Sequence, residues 1–430
     1  MKGYISILLK KPFVRSVMVM FTGTVAAQAI TMALIPLITR LYGPEVYGLM
    51  GVFVSIISII TPVAALSYPI SIVLPKSDMD AKKLIRLSLY ISGIFAIGSG
   101  IILLLLHQPI VKLFKIGTIA PYLYLIPLVV LFAGLVQVVE QWLIRKRKFK
   151  ITAKVTFLQA LILQGSKVGM GIFYPFAGVL ITITALGNAL KSFLMIIMEK
   201  SSHYQETNEL DEESKTIKEL AREYKDFPLY RAPQVFLNAI TQGLPILILV
   251  TFFGPASAGF YSVGKTVLDV PSRLIGKAIG DVFYPHISEA ANNGKNLTQL
   301  IKKATTSLLA TGVIPFGIII LFGPWLFGLV FGDNWMVAGE YARWTALWAF
   351  IMFVYQPCIR ALPVLNEQAL HLYFTIISLV TRVIALAVGY YVYSSDVVAV
   401  ALFGVTGAIL NIILILITLQ KSKNFDKINH

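Results

Sequence analysis

The sequence has few charged residues, a single cysteine and no cluster of metal-ligating side chains. Only 13% of its 430 residues are charged, whereas 57% are hydrophobic, and the mean hydropathy is +0.77. Soluble globular proteins carry about twice that share of charge, so the composition excludes a soluble globule and indicates a polytopic membrane protein. One cysteine, Cys358, excludes an intramolecular disulfide, and the five histidines are scattered. We therefore predict no metal site and no cofactor.

Two other absences narrow the function. No ATP-binding sequence of the GxxxxGK[ST] type occurs, so ATP is not expected to be the direct energy source. No catalytic dyad stands out, and the longest predicted outside connections are short segments near 107–120 and 331–337. The sequence therefore predicts a protein that is not an enzyme. The net charge of +16 is interpreted as basic residues kept on the cytoplasmic side, so no nucleic-acid partner is expected.

Apolar runs dominate the chain. A membrane-spanning helix needs about twenty apolar residues, and twelve such runs predict an all-α bundle of about 12 transmembrane helices. The basic segment before the first run has no small-residue cleavage site, so we interpret that run as a retained helix and not as a signal peptide. The predicted spans are roughly 16–39, 46–69, 84–106, 121–143, 153–173, 177–197, 233–253, 257–281, 305–330, 337–359, 370–391 and 397–420.

The distribution of basic residues predicts the topology. If the N-terminus is cytoplasmic, most Lys and Arg residues of the connections lie on the cytoplasmic side, as the positive-inside rule requires. This parity predicts a multi-pass membrane protein with both termini in the cytoplasm. The basic run 145–150 is interpreted as a topology determinant in contact with lipid headgroups. The basic residues that this topology places outside are Arg40, Lys112, Lys115 and Arg343.

An internal repeat predicts two similar halves. The turn Gly43–Gly48 (GPEVYG) has a counterpart 211 residues later in Gly254–Gly259 (GPASAG). Six predicted helices in each half give both halves one orientation, which is typical of transporters built from parallel repeats. We predict two six-helix lobes related by a parallel pseudo-twofold axis around a central cavity. The predicted lobes are 1–198 and 232–430, joined by a charged cytoplasmic linker, 199–231.

Four segments carry a resemblance to a known family. They are Gly23–Gly48, with its central Gln28, and the sequences LPKSDMDAKKL, QWLIRKRKF and YKDFPLYRAP, which follow in order along the chain. This set resembles the polysaccharide flippases, the O-antigen and capsule branch of the multidrug/oligosaccharidyl-lipid/polysaccharide exporter superfamily. The resemblance covers nearly the whole chain.

Charged residues within the predicted spans mark candidate functional positions, because such charges are costly in a bilayer unless they face protein, a partner or water. On the eighth predicted helix, Lys265, Asp269 and Arg273 are spaced by four residues and share one face. They form either a cavity lining or a structural salt-bridge ladder. The other intramembrane charges are Lys167, Lys191, Lys277, Arg382, Glu140 and Asp281.

An excess of buried cations suits an anionic ligand. We predict a substrate cavity lined by charged residues and by amides that either meet sugar hydroxyls or join helices. Asp269 and, second, Glu140 are the candidates for ion coupling, because a carboxylate in a dry site can change charge near neutral pH. The predicted cavity residues are Lys265, Asp269, Arg273, Lys167, Arg382, Gln28, Asn238 and Gln242.

The resemblance implies a flippase that moves an undecaprenyl-pyrophosphate-linked oligosaccharide to the outer leaflet by alternating access, for surface polysaccharides such as lipopolysaccharide O-antigen or capsule. The expected partners are this polyprenyl-linked oligosaccharide, the bilayer, and polysaccharide polymerase and chain-length proteins. An ion-coupled multidrug exporter and a membrane polymerase or ligase remain alternatives. The peptidoglycan-precursor flippase of the same superfamily characteristically has fourteen helices, so twelve favours the polysaccharide branch.

Overall fold

The computed structural model describes residues 12–200, 215–365 and 367–429, and for some of these, including 12–18 and 270–282, the backbone alone. The described residues form helices and contain no β-strand. This is the architecture that a bilayer imposes, because a helix satisfies its own backbone hydrogen bonds where water is absent. The all-α prediction is confirmed.

Within the residues that the structure describes, twelve long helices follow one another along the chain. The first helical segment, Pro12–Ile60, is interrupted at Gly43, which has φ 70° and ψ 171°, and so divides into α1 (12–42) and α2 (44–60). The sixth and tenth helices each consist of two stretches. The remaining helices are α3 Asp78–Phe114, α4 Ile126–Arg145, α5 Phe149–Phe173, α6 Ala177–Ala185 with Gly187–Lys200, α7 Ala232–Phe253, α8 Pro255–Asn292, α9 Leu297–Phe331, α10 Met336–Val354 with Gln356–Ala361, α11 Gln368–Tyr391 and α12 Asp396–Asn429.

Length and hydropathy agree with the predicted number of spans. Among the described residues, nine stretches are long and apolar enough to cross a membrane, and one of them, Thr22–Val63, contains both α1 and α2. With α8 and α10, the chain has the twelve helices that the apolar runs predicted, so the protein is a multi-pass membrane protein. Several helices are longer than predicted: α8 continues to Asn292, α9 already begins at Leu297, and α12 continues to Asn429.

Packing divides the chain into two compact units. The first contains the described residues up to Tyr42 and Leu49–Leu247, and the second contains Gly43–Gly48 and the described residues from Ile248 onward. This boundary lies inside α7, whereas the charged linker of the sequence lies before it. The second unit therefore includes the Gly-Pro turn between α1 and α2 but only the end of α7.

The two Gly-Pro turns contact each other reciprocally within the second unit. A Cβ on Gly48 would lie 1.8 Å from the carbonyl oxygen of Pro255, and a Cβ on Gly259 would lie 2.1 Å from that of Pro44. Gly254, at φ 90° and ψ 178°, also repeats the backbone conformation of Gly43. Only glycine permits such close approach and such dihedral angles. The internal repeat is thus present in the structure at the same offset of 211 residues.

The end of the second helix differs from its prediction. Continuous helix was expected to 69, but α2 ends at Ile60, and two 3-10 turns follow, Thr61–Val63 and Tyr68–Val73. Between them Leu66 and Ser67 have positive φ values of 48° and 61°. Prolines in each turn remove backbone donors and oppose a regular helix. The carbonyl of Thr61 accepts the Ala64 N–H within the first turn and also accepts from the side chain of Gln137 on α4, at 2.7 Å.

The basic run after α4 begins with two residues that bind a neighbouring loop, Arg145 and Lys146, whereas Arg147 and Lys150 are exposed. Arg145 donates to Asp78 at 2.9 Å and to the carbonyl oxygens of Ile72 and Pro75 at 3.2 and 2.6 Å. Lys146 pairs with the same Asp78. Arg145 therefore joins the C-terminal end of α4 to the loop before α3. Two of the segments that carry the family resemblance are in direct contact here.

The described end of the linker is a short docked helix, Ile217–Glu223. Thr216 caps it by accepting from the Glu219 N–H while its own N–H donates to the Glu219 carboxylate at 2.8 Å, and these hydrogen bonds lower the pKa of Glu219. Leu220 is 1% exposed and packs in the first unit against residues of α3 and α4. This described part of the predicted linker is therefore helical and is anchored to the first unit through Leu220.

We expect Gly259→Ala to destabilise the protein, because its Cβ would overlap the carbonyl oxygen of Pro44. Gly264→Ala is the matched control on the same helix, where a Cβ would meet its nearest atom at an ordinary 3.5 Å. Both changes raise helix propensity by about 1 kcal/mol, so the steric term alone separates them. Thermal unfolding of the purified protein should show a lower Tm for Gly259→Ala only. Equal Tm values would contradict the close turn contact.

Candidate functional site

A buried lysine lies inside the first unit. Lys167 on α5 is only 9% exposed, and its Nζ has the sulfur of Met50 as a contact, at 3.9 Å. The Tyr42 hydroxyl donates to the Lys167 backbone oxygen at 2.9 Å, while Gly171 makes room for the Tyr42 ring. No carboxylate of the described residues lies within salt-bridge distance of Lys167. This cation is therefore buried without charge compensation from the described chain.

A buried arginine lies inside the second unit. Arg382 on α11 is 5% exposed, and its Cζ lies 3.9 Å from the ring centroids of both Trp348 on α10 and Phe403 on α12. Its Nε and Nη2 are buried and have no hydrogen-bond partner among the described residues. Aromatic faces stabilise the charge by cation–π attraction. The structure thus places Arg382 deep between helices of one unit.

The predicted constellation on α8 is partly described. Lys265 and Asp269 form an ion pair at 3.2 Å, with 18% and 24% of their side chains exposed. The spacing of four residues therefore brings these two together on one helix face, as predicted. The side chains of Arg273, Lys277 and Asp281 lie outside the described residues. The pair is compatible with both a cavity lining and a structural ladder.

The second candidate for ion coupling is also paired. Glu140 on α4 accepts from Lys191 on α6 at 2.5 Å, and the two side chains are 31% and 19% exposed. A pair this accessible is a modest link between helices. The structure brings Glu140 together with Lys191 in the first unit, whereas Asp269 belongs to the second.

The predicted amides lie in the first unit with different exposure. Gln28 on α1 and Gln242 on α7 are half-buried, and Asn238 on α7 is exposed. Gln159 on α5 donates to the Gly187 carbonyl on α6 at 2.8 Å. Gln159 therefore joins helices, the role that the sequence left open for each intramembrane amide.

Comparison with protein families identifies the chain. A family profile described as "Polysaccharide biosynthesis protein" matches residues 37–340. The chain belongs to this polysaccharide biosynthesis family. A search of curated protein sequences finds no match. The family assignment agrees with the resemblance carried by the loop segments, two of which meet at Arg145.

Solved structures show the fold of this polysaccharide biosynthesis protein. It resembles an inward-facing multidrug resistance MATE transporter of the MOP superfamily, with TM-score 0.74, 13% identity, and 93% and 96% of the two chains covered. It also resembles the lipid II flippase MurJ in an inward closed conformation, with TM-score 0.72, 14% identity, and 97% and 90% covered. A MOP superfamily transporter from Pyrococcus furiosus gives TM-score 0.56 at 14% identity, with 96% and 95% covered. The fold is that of transporters and flippases.

Sequence reasoning missed two charged residues with defined partners. Arg145 binds loop carbonyls, as described above. Asp426, near the end of α12, accepts hydrogen bonds from the backbone N–H groups of Leu297 and Thr298 at 2.9 Å and so caps the start of α9. A carboxylate at a helix N-terminus satisfies exposed donors and the helix dipole. Asp426 was outside every predicted span, and no local signal related it to a residue so distant in sequence.

We expect Lys167→Met to leave the Tm unchanged or to raise it, because replacing a buried unpaired charge with an apolar side chain of similar length removes its desolvation cost. Lys191→Met is the matched comparison, since it leaves Glu140 without its partner and should lower stability by about 1 kcal/mol. Size-exclusion profiles after heating would measure both. A large loss of stability in Lys167→Met would mean that the lysine has a structural partner.

Proposed function

We propose that this protein is a flippase that moves an undecaprenyl-pyrophosphate-linked oligosaccharide repeat unit from the inner to the outer leaflet of the bacterial cytoplasmic membrane. The observation that carries the proposal is the combination of a polysaccharide biosynthesis family with a transporter fold. One structural neighbour is itself described as a lipid II flippase. Both termini are proposed to lie in the cytoplasm, and the mechanism is alternating access.

The substrate class follows from charge. A polyprenyl-linked oligosaccharide carries a pyrophosphate that must cross the bilayer interior, where an anion is as costly as a cation. The basic groups of α8, Lys265 and Arg273, are proposed to meet this diphosphate, and Lys167 adds uncompensated positive charge in the first unit. Gln28, Asn238 and Gln242 are proposed to contact sugar hydroxyls. Arg382, enclosed by Trp348 and Phe403, is not proposed to touch the substrate in this conformation.

Ion coupling is assigned to α8. Asp269 is the proposed proton carrier, because its pairing with Lys265 gives protonation a direct effect on the charge offered to the diphosphate. Protonated Asp269 would release Lys265 from the ion pair and leave it for the substrate. Glu140 is the second candidate, with Lys191 in the corresponding role.

The pathway is proposed to be surface polysaccharide assembly of the O-antigen or capsule type. The flipped glycolipid would be handed to a polymerase and its chain-length proteins on the outer face. Multidrug export is the competing transport function, because a MATE transporter is among the structural neighbours. A cationic drug would, however, have to enter a protein in which the buried charged residues described within the predicted spans, Lys167 and Arg382, are basic. The structural neighbour from Pyrococcus furiosus is described as having a binding pocket of reversed polarity that suggests a different function.

Flipping of a fluorescent undecaprenyl-pyrophosphate oligosaccharide in proteoliposomes tests the proposal. We expect Lys265→Met to lower the initial rate by about tenfold or more, equivalent to about 1.4 kcal/mol of lost transition-state stabilisation. Lys302→Met is the matched control, since Lys302 is exposed on α9 and its loss should leave the rate unchanged. Protein that elutes as a single species before reconstitution shows that the variants are folded.

A lipophilic cation and product analysis separate the alternatives in the same vesicles. Transport of the cation without movement of the glycolipid would establish a drug exporter. A glycolipid that grows in size would establish a polymerase or ligase. Normal flipping by Lys265→Met would remove α8 from the substrate path and leave Lys265 and Asp269 as a structural pair.

A further inference from the structure

The surroundings of Arg382 provide attraction for its charge but leave its hydrogen-bond donors unused. The rings of Trp348 and Phe403 lie at 75° to each other with centroids 5.9 Å apart, and the guanidinium carbon lies 3.9 Å from both. The guanidinium therefore sits in a corner between two ring faces. A ring face is only a weak hydrogen-bond acceptor. The two rings therefore stabilise the positive charge but do not satisfy the N–H donors as an oxygen atom or a halide ion would.

The two unpartnered nitrogens belong to one edge of the guanidinium. The covalent geometry of arginine places the Nε–H and one N–H of Nη2 side by side and parallel, and this is the edge with which arginine binds anions in two-pronged fashion. In Arg382 both of these nitrogens are buried without a partner among the described residues. The side chain thus presents a complete anion-binding edge inside the second unit.

A strip of α12 borders this edge. Phe403, Gly407 and Asn411 are spaced by four residues and so share one helix face. Gly407 brings the backbone of α12 close to the arginine, because a Cβ there would lie 3.3 Å from the Arg382 Nε. One turn further, Asn411 is 7% exposed, and its Nδ2 is also buried without an acceptor.

The buried side-chain atoms of Arg382 and Asn411 that lack a partner among the described residues are all nitrogen donors. Across the part of the chain that the structure describes, no acidic side chain lies within salt-bridge distance of Arg382. The titratable groups that interact with it electrostatically are Tyr261 and Tyr355, whose phenols are uncharged at neutral pH. A water molecule would accept hydrogen bonds here but would leave the charge uncompensated in a low-dielectric interior.

We propose that the second unit contains an internal binding site for a small inorganic anion of the halide class, held by the Nε and Nη2 of Arg382 and the Nδ2 of Asn411. A monatomic anion accepts several N–H donors at once and brings a counter-charge that no described side chain supplies to Arg382. Chloride is the probe of choice. The site differs from the proposed diphosphate-binding face of α8, so it can exist whether or not the protein is a glycolipid flippase.

Thermal unfolding in different salts tests the site. Cys358 is the only cysteine of the chain and is fully buried in the second unit, so a thiol-reactive dye reports when that unit unfolds. Purified protein is heated in sodium chloride or sodium gluconate at constant ionic strength. For the wild type we expect the Tm to rise by about 2–4 °C for each tenfold increase in chloride above its Kd.

Two variants and one control assign the effect to the residues. Arg382→Met should abolish the chloride dependence, and Asn411→Ala should weaken it while keeping the cation. Lys167→Met, which removes the buried cation of the other unit, should respond to chloride like the wild type. If Arg382→Met does not yield folded protein, Asn411→Ala decides the question.

Three outcomes would overturn the proposal. A wild-type Tm that does not distinguish chloride from gluconate would mean that no halide binds to the folded state. A chloride effect that persists in Arg382→Met, or unchanged in Asn411→Ala, would place the anion elsewhere. Stabilisation by phosphate and not by chloride would exclude the halide class and indicate an oxyanion site.

Discussion

A charge inside a bilayer must be compensated locally, because the hydrocarbon interior does not solvate it. Several charged side chains pair with a neighbouring element, either within the predicted spans or just beyond the ends of the helices. Lys191 binds Glu140, Lys148 binds Glu199 at 3.1 Å, and Arg145 joins carbonyl groups to a carboxylate. Two buried cations are not paired in this way. Lys167 lies next to the thioether of Met50, and Arg382 lies between two aromatic rings. At these two positions a buried cation has no carboxylate partner among the described residues, and such positions are candidates for function.

The same constraint applies to the backbone wherever a helix is interrupted. After α2 ends early, the side chain of Gln137 donates a second hydrogen bond to the Thr61 carbonyl, beside the one from the Ala64 N–H. At the start of α9 the free N–H groups are met by Asp426, which belongs to the last helix of the chain. Polar side chains therefore act as local replacements for the helical hydrogen bonds that are missing. The interruptions are possible only because distant residues supply these partners.

Local signals in the sequence predicted the fold well. Apolar runs predicted twelve helices because the bilayer sets a minimum length for each, and the Gly-Pro spacing predicted the repeat because both turns need glycine. The early end of α2 was missed, since Leu66 and Ser67 adopt left-handed conformations that their residue types do not announce. Composition identified Arg382 as an intramembrane cation, but its ring partners lie on α10 and α12, and only packing brings them to it.

The reciprocal contact of Gly48 and Gly259 restricts which substitutions the two halves of the sequence can accept. Each glycine is held by the backbone of the opposite turn, so the space available at one position depends on the conformation of the other half. Most of the sequence is free to lose its internal similarity after a duplication, because side chains elsewhere need only preserve volume and polarity. At this contact a substitution in one half requires a backbone shift in both. We therefore expect the two turns to keep their sequence similarity longer than the helices that they connect.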